Sequence, residues 1–420
     1  FGIFSLLCGL STSLGMLLLM RVFQGMAGGP LMALSQTLLL RIFPKEKSMQ
    51  ATGLWAMTTL LAPVIGPVLG GWICDHYSWS WVFIINVPMA IAFSVVAWSV
   101  LKIFEDELVN NAIDIVGFVL LVIWVGALQI MLDEGKDLDW FASEEIWVLA
   151  IVACIGFLSF CIWELTADHP IVDISVFRHR GFSASMFVLA LAFGCFFGLN
   201  VLTPLWLQYN LGYTTTWAGI VVAWGGLLQV VFSPVAANLS NRIDPRILIF
   251  FGCAWLGLDT FWRAYATTDM DYWSICVPLL FMGVGMPLYY VPITGLAMGS
   301  VDEAEMPSAA GLMNFVRTLS GAFATSLVTT SWQDQRYIAH DKLASVVDPT
   351  GDLSQYINSA PQQGGQFVRE LFDKMVNSQS MMLSTNNLMM SIGVIFFIAA
   401  FAIALAPKPS RVVDAASVGH

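Results

Sequence analysis

Two charged residues at helical spacing, Asp259 and Arg263, lie within a stretch that is otherwise almost wholly apolar. They are four residues apart, so a helix places both on one face, with the acid on the N-terminal side in the favourable order. A carboxyl group in apolar surroundings can take up and release a proton, and Asp259 is our candidate for a proton carrier in this chain. The alternative is an intrahelical ion pair that has no other role.

Arg21 is a second candidate, about seven residues or roughly 10 Å inside the end of its own apolar stretch. Gln24 and Gly25 share its helix face at the i+3 and i+4 positions. The charge of Arg21 would favour the ionised form of a partner carboxyl group and respond to the arrival of a proton. The alternative is a buried arginine that bonds backbone carbonyls and anchors packing.

Asn314 and Arg317 form a third polar pair, three residues apart near the middle of an apolar stretch. An arginine at that depth is costly without a partner, so we expect it to face the interior of a helix bundle. Three roles stay open for the pair: joining two halves of the bundle, lining a cavity, or contacting a substrate.

Aromatic and amide side chains on half-polar faces suit a cavity for greasy, planar compounds. Most aromatic residues of the chain are explained by lipid contact and interface belts, which is the alternative for each of these. The cavity candidates are Trp206, Trp224, Gln229, Tyr289 and Tyr290. The prolines of 287–292, flanked by glycines, further predict a broken helix able to flex.

The elements that must position these residues are membrane-spanning helices. Hydrophobic residues make up 57% of the 420-residue chain and charged residues 11%, with a mean hydropathy of +0.75. Soluble domains carry roughly 25% charged residues, so the composition indicates a polytopic membrane protein. A partial span is expected at 1–10, and about eleven full ones near 16–40, 52–73, 81–101, 115–132, 146–165, 183–206, 217–239, 246–266, 274–298, 309–330 and 386–406.

Basic residues predict the orientation, because positively charged loops stay in the cytoplasm. They fall on alternate connections and on the C-terminal tail: Arg41, Lys45, Lys47, Lys102, Arg178, Arg180, Arg242, Arg246, Lys408 and Arg411. The C-terminus is therefore expected to be cytoplasmic. The segment 331–385 faces outward, and we expect a small extramembrane element of short helices there rather than a disordered tether.

A glycine- and proline-bearing span at 58–75 reads TTLLAPVIGPVLGGWICD. Gly66 and Gly70 share one helix face, which Ala62 extends, and small residues on a face let helices approach closely in a membrane. Pro67 is expected to bend the helix, and Gly71 completes the GPxxGG pattern. A kinked, tightly packed helix without further function is the alternative.

These motifs resemble those of the major facilitator superfamily. The GPxxGG pattern is similar to the antiporter motif of the family's drug exporters, although Ala62 stands where the family more often has glycine. The family's buried-arginine motif is similar to Leu17-x-x-x-Arg21-x-x-Gln24-Gly25-x-Ala27-Gly28-Gly29. Further matches point to the EmrB-type (EmrB/QacA) fourteen-helix drug:proton antiporters. They are IINVP (84–88), LQIMLDEGKDLDWF (128–141), WELTADHPIVD (163–173), TTTWAG (214–219) and NFVRTLSGAFATSLVTTSW (314–332).

The resemblance implies an all-α fold of two six-helix halves with an extra central hairpin. On that scheme the chain is truncated at its N-terminus, and 1–105 is what remains of the N-terminal half from its third helix. Residues 106–180 form the extra hairpin and its linkers. Residues 181–410 form the C-terminal half, which includes the long periplasmic loop 331–385, and residues 411–420 form the cytoplasmic tail. The family's coupling acid in its first helix cannot be located in this chain.

The function implied is proton-coupled export of hydrophobic toxic compounds across a bacterial inner membrane. No cofactor beyond the proton gradient and no nucleic acid is expected. A periplasmic adaptor (EmrA-like) and an outer-membrane channel (TolC-like) are the implied partners, with 331–385 as a docking surface. A uniporter or symporter of the same fold, or a dedicated exporter of one metabolite, is the rival interpretation.

An enzyme is not expected, because no catalytic or metal-binding constellation is present in the sequence. All five histidines are predicted in loops or the tail: His76, His169, His179, His340 and His420. The seven cysteines are scattered and imply neither a disulfide framework nor a metal site.

Overall fold

The computed structural model describes residues 1–44, 47–102, 114–167, 170, 172–302, 305–346 and 362–407. Within these ranges the protein consists of α-helices and short 3-10 turns, and no strand occurs. The N-terminal part contains α1 (Gly2–Gly9), α2 (Leu14–Ile42), α3 (Ser48–His76), α4 (Trp81–Ile84) and α5 (Asn86–Leu101). A hairpin follows, made of α6 (Ile115–Glu134) and α7 (Glu144–Thr166).

The C-terminal part contains six longer helices. They are α8 (Arg180–Leu211), α9 (Thr215–Ser240), α10 (Pro245–Arg263), α11 (Tyr272–Met298), α12 (Met306–Val346) and α13 (Gln362–Ala402). Eight helical stretches among the described residues are long and apolar enough to cross a membrane. The predicted all-α membrane fold is confirmed.

The core lies in the C-terminal part, where α11 packs between α9 and α10, and α13 packs against α8, α10 and α12. Its largest fully buried side chains include Tyr289, Tyr290, Phe182, Phe196 and Phe396. By contrast α5 has no buried residue, and Trp98 on it is 70% exposed. Apolar side chains that are exposed on such helices suit contact with lipid.

Two glycines bring the N-terminal and C-terminal parts together along α3 and α9. A Cβ on Gly53 would lie 2.6 Å from the Cβ of Ala237, and one on Gly71 would lie 3.0 Å from the carbonyl oxygen of Thr215. The two glycines are five helical turns apart, so they lie on one face of α3 at opposite ends. The helices therefore stay close from one end to the other.

The α6–α7 hairpin packs against α12. The Trp124 ring meets Phe315 edge-on at 5.9 Å, and the hydroxyl of Ser326 donates to the carbonyl of Leu132 at 2.5 Å. The hairpin thus contacts the C-terminal part through α12 while most of its other face is apolar and exposed.

Three sequence expectations differ from the structure. Short helices were expected between 331 and 385, but α12 and α13 extend into this segment as continuous helices. Arg336 of α12 donates to Asn377 of α13 at 3.0 Å, and His340 lies 3.6 Å from Asp373. Residues 347–361 lie outside the described part.

Helix α11 is the second difference, because it is continuous although it contains three prolines. Neighbouring helices pack on both sides of it.

The third difference concerns histidines. His340 lies within α12 and His76 ends α3, so neither is a loop residue, while His169 and His420 lie outside the described residues. A polar helix extension has no apolar run to reveal it, which is why the sequence pattern placed His340 in a loop.

Candidate functional site

A cluster around Arg317 joins the two parts of the bundle near the end predicted to be cytoplasmic. The Arg317 guanidinium lies over the rings of Phe193 (5.5 Å) and Trp55 (5.9 Å) and donates to the Tyr290 hydroxyl at 3.0 Å. Trp55 belongs to α3, whereas the other three residues belong to α8, α11 and α12. Because the ring faces are electron-rich, they stabilise the cation where it has little water.

Asn314 lies one turn before Arg317 and also reaches across the boundary. Its amide nitrogen is 3.5 Å from Oε1 of Gln36 in α2 and 2.9 Å from its own helix's Ala310 carbonyl. The Oδ1 of Asn314 and Nε2 of Gln36 are buried without a partner. Of the roles left open for Asn314 and Arg317, the geometry fits the joining of two halves.

A second contact between the parts lies at the end predicted to face outward. Asp75, near the end of α3, accepts hydrogen bonds from the backbone N–H of Thr216 (3.2 Å) and from its hydroxyl. Thr216 is in the first turn of α9, where unpaired N–H groups favour a negative charge. Gly71, one turn before Asp75, allows the two backbones to approach closely at this end.

The predicted small-residue face of α3 is not covered by the helices that the structure describes. A Cβ on Gly66 or Gly70 would meet nothing within 4 Å, and Ala62 is exposed. The close approach is made instead by Gly53 and Gly71, because their face of the helix points at α9. Pro67 lies within α3, but its side chain is outside the described part of the structure.

Asp259 and Arg263 are both buried, at 5% and 7% exposure, in the interior of the C-terminal part. Arg263 donates to the Thr203 hydroxyl at 2.5 Å and approaches the Met282 sulfur at 3.7 Å. Both carboxylate oxygens of Asp259 are buried without a hydrogen-bond partner. The predicted shared face is therefore present, but the two side chains do not form a contact ion pair in this arrangement.

Arg21 differs from the buried arginine expected from its motif. It is exposed in a cleft of about 500 Å³ that is also lined by Gln24, Gly25, Phe83 and Asn86. Its guanidinium donates to Gln24 Oε1 at 2.8 Å and lies 5.3 Å from the Phe83 ring centre. Arg21 is exposed because no described helix covers this face of α2.

Gln24 is the buried member of the Arg21 group. Its amide nitrogen donates to the hydroxyl of Ser5 at 2.5 Å, so α2 is tied to α1 through this side chain. Gly25 has nothing within 4 Å of a Cβ position, and its role is therefore not close packing within the described structure.

The five cavity candidates have different neighbours among the described residues. Trp206 points its ring nitrogen at the Met382 sulfur in α13 (3.2 Å), and Trp224 donates to the Tyr272 hydroxyl in α11 (2.9 Å). Gln229 and Tyr289 are fully buried, with Gln229 Oε1 and the Tyr289 hydroxyl unpaired. Only Tyr290 of the five has a described contact with Arg317 or with the N-terminal part, since it stacks 6.4 Å from Trp55.

Sequence reasoning missed Trp55, Phe193, Thr203 and Asp75. Aromatic residues and threonines in apolar helices are common, so type and position alone do not single them out. Asp75 had the clearest signal, because it follows GPxxGG by one turn and is the first charge after a long uncharged run.

Polar groups buried between two packed sets of membrane helices are typical of helical membrane transporters. The major facilitator superfamily model matches residues 1–325, and the chain belongs to that family. The chain also resembles the crystal structure of a bacterial homologue of the human lysosomal transporter Spinster, with a TM-score of 0.52 and 15% identity. That match covers 96% of this chain and 79% of the other. It supports the fold alone.

Curated relatives are more similar in sequence. The multidrug export protein EmrB of Haemophilus influenzae is 40% identical over 84% of this chain and 70% of the relative. EmrB of Escherichia coli is 38% identical over 94% of this chain and 78% of the relative. The fatty acid resistance protein FarB of Neisseria gonorrhoeae is 37% identical over 97% of this chain and 81% of the relative.

Proposed function

We propose that this protein is a multidrug efflux transporter that exports hydrophobic toxic compounds in exchange for protons. The observation that carries the proposal is a buried carboxyl group, Asp259, one turn from a buried arginine, in a chain similar to multidrug export proteins. An acid buried inside a transporter without a fixed partner is suited to bind and release an ion rather than to stabilise the fold.

The two contacts between the halves support alternating access. Trp55 meets Arg317 and Tyr290 near the predicted cytoplasmic end, and Asp75 meets Thr216 at the predicted outer end. Rocking of the halves would break one contact while the other holds. Each of these polar contacts is small, so the cost of separating an end lies mainly in the packing of α3 against α9.

Asp259 and Arg263 would couple this motion to a proton. With a proton on Asp259 the carboxyl group is neutral, and Arg263 keeps its hydrogen bond to Thr203. When the proton leaves, the carboxylate attracts Arg263, which is one turn away on the same face. Arg263 would then leave the Thr203 hydroxyl and pair with Asp259 instead. This change of partner would shift α10, which carries Arg263, relative to α8, which carries Thr203.

Arg21 and Gln24 are proposed as gating residues of the N-terminal half, with Gly25 beside them in the same cleft. Unpaired buried polar atoms on Gln229 and Tyr289 are proposed, with Trp206, Trp224 and Tyr290, to become accessible to substrate when the halves separate. A buried polar atom without a partner costs free energy, which a bound substrate would recover.

Placement in a bacterial inner membrane with a cytoplasmic C-terminus, the domain scheme and a tripartite assembly are part of the same proposal. The helix extensions beyond residue 331 and before residue 385 would dock a periplasmic adaptor. Deleting 340–380 is expected to abolish whole-cell resistance while drug transport into everted vesicles persists. Intact whole-cell resistance would refute the docking role.

The test of the function uses everted membrane vesicles energised by respiration. A panel of hydrophobic drugs and uncoupler-like weak acids is added while the pH gradient is followed, with Arg21→Ala as the impaired variant and the exposed lipid-facing Trp98→Ala as the matched control. Saturable drug-dependent proton release, present in wild type and Trp98→Ala, supports exchange. Drug uptake without proton movement would favour a uniporter of the same fold.

A further inference from the structure

Two carboxyl groups face each other at the foot of the α6–α7 hairpin, at the predicted cytoplasmic end. Asp114 is the residue before α6, and Glu164 lies in the last turn of α7. Gly117 separates them: a Cβ there would collide with Oδ2 of Asp114 and lie 2.7 Å from Oε1 of Glu164. Only a glycine leaves room for the two oxygens to approach each other.

Asp114 is surrounded by hydrogen-bond donors. Its Oδ1 accepts from the backbone N–H of Gly117 at 2.9 Å, and both oxygens lie 3.0 Å from the ring nitrogen of Trp163. The first turn of α6 also presents its positive end to this carboxylate. Asp114 therefore has hydrogen-bond partners for its oxygens that do not involve Glu164.

Glu164 has a different environment. It is 4% exposed; Oε2 accepts from the backbone N–H of Val172 at 3.1 Å, whereas Oε1 is buried without any partner. Among the described residues, the charged groups that act on it are both acidic: Asp114 before α6 and Asp173 in the segment after α7. Cys161, one turn earlier on α7, is the remaining titratable neighbour. No cation compensates a charge on Glu164 among these neighbours.

We propose that Glu164 carries a proton and that Asp114 and Glu164 together form a proton-binding site at the foot of the hairpin. The proton resides on Glu164, whose unpaired Oε1 lies on the side of Gly117 where Asp114 is also found. Two ionised carboxylates facing each other would repel, and an unpaired buried charge is costly. The proton exchanges with water at Asp114, which is half-exposed.

The site has a mechanical consequence, because Glu164 also holds the segment that leads into α8. Its bond to Val172 ties α7 to that segment, in which Arg178 and His179 pair with Glu305 before α12. Loss of the proton would place a full charge on Glu164 and strengthen this bond, because an ionised carboxylate is the better hydrogen-bond acceptor. The proposal concerns the hairpin and does not depend on which compound is exported.

Infrared spectroscopy of the full chain in nanodiscs tests the site. At neutral pH the carboxylic acid C=O band is expected to lose one component in Glu164→Gln but none in Glu145→Gln, an exposed acid at the other end of the same helix. In Asp114→Asn the remaining Glu164 component is expected to disappear at lower pH than in wild type. An unchanged band in Glu164→Gln would show that Glu164 is ionised and would overturn the proposal.

Hydrogen–deuterium exchange provides a second readout that does not need Glu164→Gln to fold. With the intrinsic pH dependence removed, exchange in the peptide containing Val172 is expected to fall as Glu164 loses its proton at alkaline pH, in wild type and in Glu145→Gln. In Asp114→Asn the fall should begin at lower pH, because the neighbouring acidic group is absent. The same pH dependence in Asp114→Asn as in wild type would refute a proton site that the two residues form together.

Discussion

Asp75 of α3 accepts two hydrogen bonds from Thr216 of α9, so a carboxylate from one half of the transporter caps a helix of the other half. Capping interactions at helix N-termini are worth about 0.5–2 kcal/mol. In the proposed alternating-access cycle, a contact of this size helps to hold the predicted outer end closed and is small enough to break during transport. It adds a specific polar contact to the close glycine packing of α3.

Removing the Asp75 carboxylate is expected to favour opening of the outer end. In Asp75→Ala the equilibrium between the closed and open outer end should shift towards the open form, roughly fivefold for each ~1 kcal/mol of lost capping. Spin labels at Tyr77 and Tyr265, exposed residues at the outer ends of the two halves, would report a larger population of long distances. Asp269→Ala, at an exposed acid on the same side, is the matched control, and equal distance distributions in both variants would contradict the assignment.

The glycines of α3 are expected to differ in their tolerance of a side chain. Gly71→Val would push the backbone of α3 away from that of Thr215 and Thr216 at the start of α9. Overpacking of this kind typically lowers the free energy of unfolding by about 1–3 kcal/mol. Gly66→Val and Gly70→Val have open space and should melt close to wild type. Melting in nanodiscs distinguishes the three variants. Equal destabilisation in Gly66→Val and Gly71→Val would refute the assignment of Gly71, rather than Gly66, to the packing face of α3.

Trp55 is expected to stabilise closure of the predicted cytoplasmic end, because its ring lies under the guanidinium of Arg317 from the other half. Trp55→Ala removes one ring face, worth about 0.5–2 kcal/mol at a desolvated site, and should weaken closure of the predicted cytoplasmic end. Trp55→Phe should retain part of the effect. Accessibility of a cysteine introduced at Asn314 to a water-soluble thiol reagent measures the opening, and Trp98→Ala is the control. No increase in reactivity in Trp55→Ala would rule out this contact as a closure.

Arg317→Lys is not expected to replace the arginine. The planar guanidinium lies over two rings and donates to Tyr290, whereas an ammonium group is compact and strongly hydrated. Drug transport in vesicles should therefore fall in Arg317→Lys nearly as far as in Arg317→Ala. Arg242→Lys, at an exposed loop residue between α9 and α10, is the control for charge-conserving exchange.

Much of the fold could be predicted, because apolar runs of membrane length leave a strong signal in a sequence. Each predicted span has its helix, and the fold class followed from composition and motifs. The helix extensions of α12 and α13 could not be predicted, because polar extramembrane helices have no such run. The continuity of α11 through its prolines likewise depends on packing by α9 and α10, which no local pattern encodes.

The site was predicted only in part. Helical spacing placed Asp259 with Arg263 correctly on one face, and it placed Arg317 in the interior. Spacing could not tell that Arg263 bonds Thr203, 60 residues away, or that Trp55 would cover Arg317 from another half. Spacing also could not tell that Gly71, rather than Gly66 or Gly70, lies against α9, since the direction of a helix face depends on its neighbours.

The most direct test of proton-coupled export compares two activities of Asp259→Asn in the same sealed vesicles. The first is drug-driven proton flux, and the second is exchange of labelled for unlabelled drug, which needs no net proton movement. We predict that Asp259→Asn loses the flux and keeps the exchange, with Asp269→Asn retaining both. Wild-type proton flux in Asp259→Asn would contradict the assignment of this carboxyl group as the proton carrier.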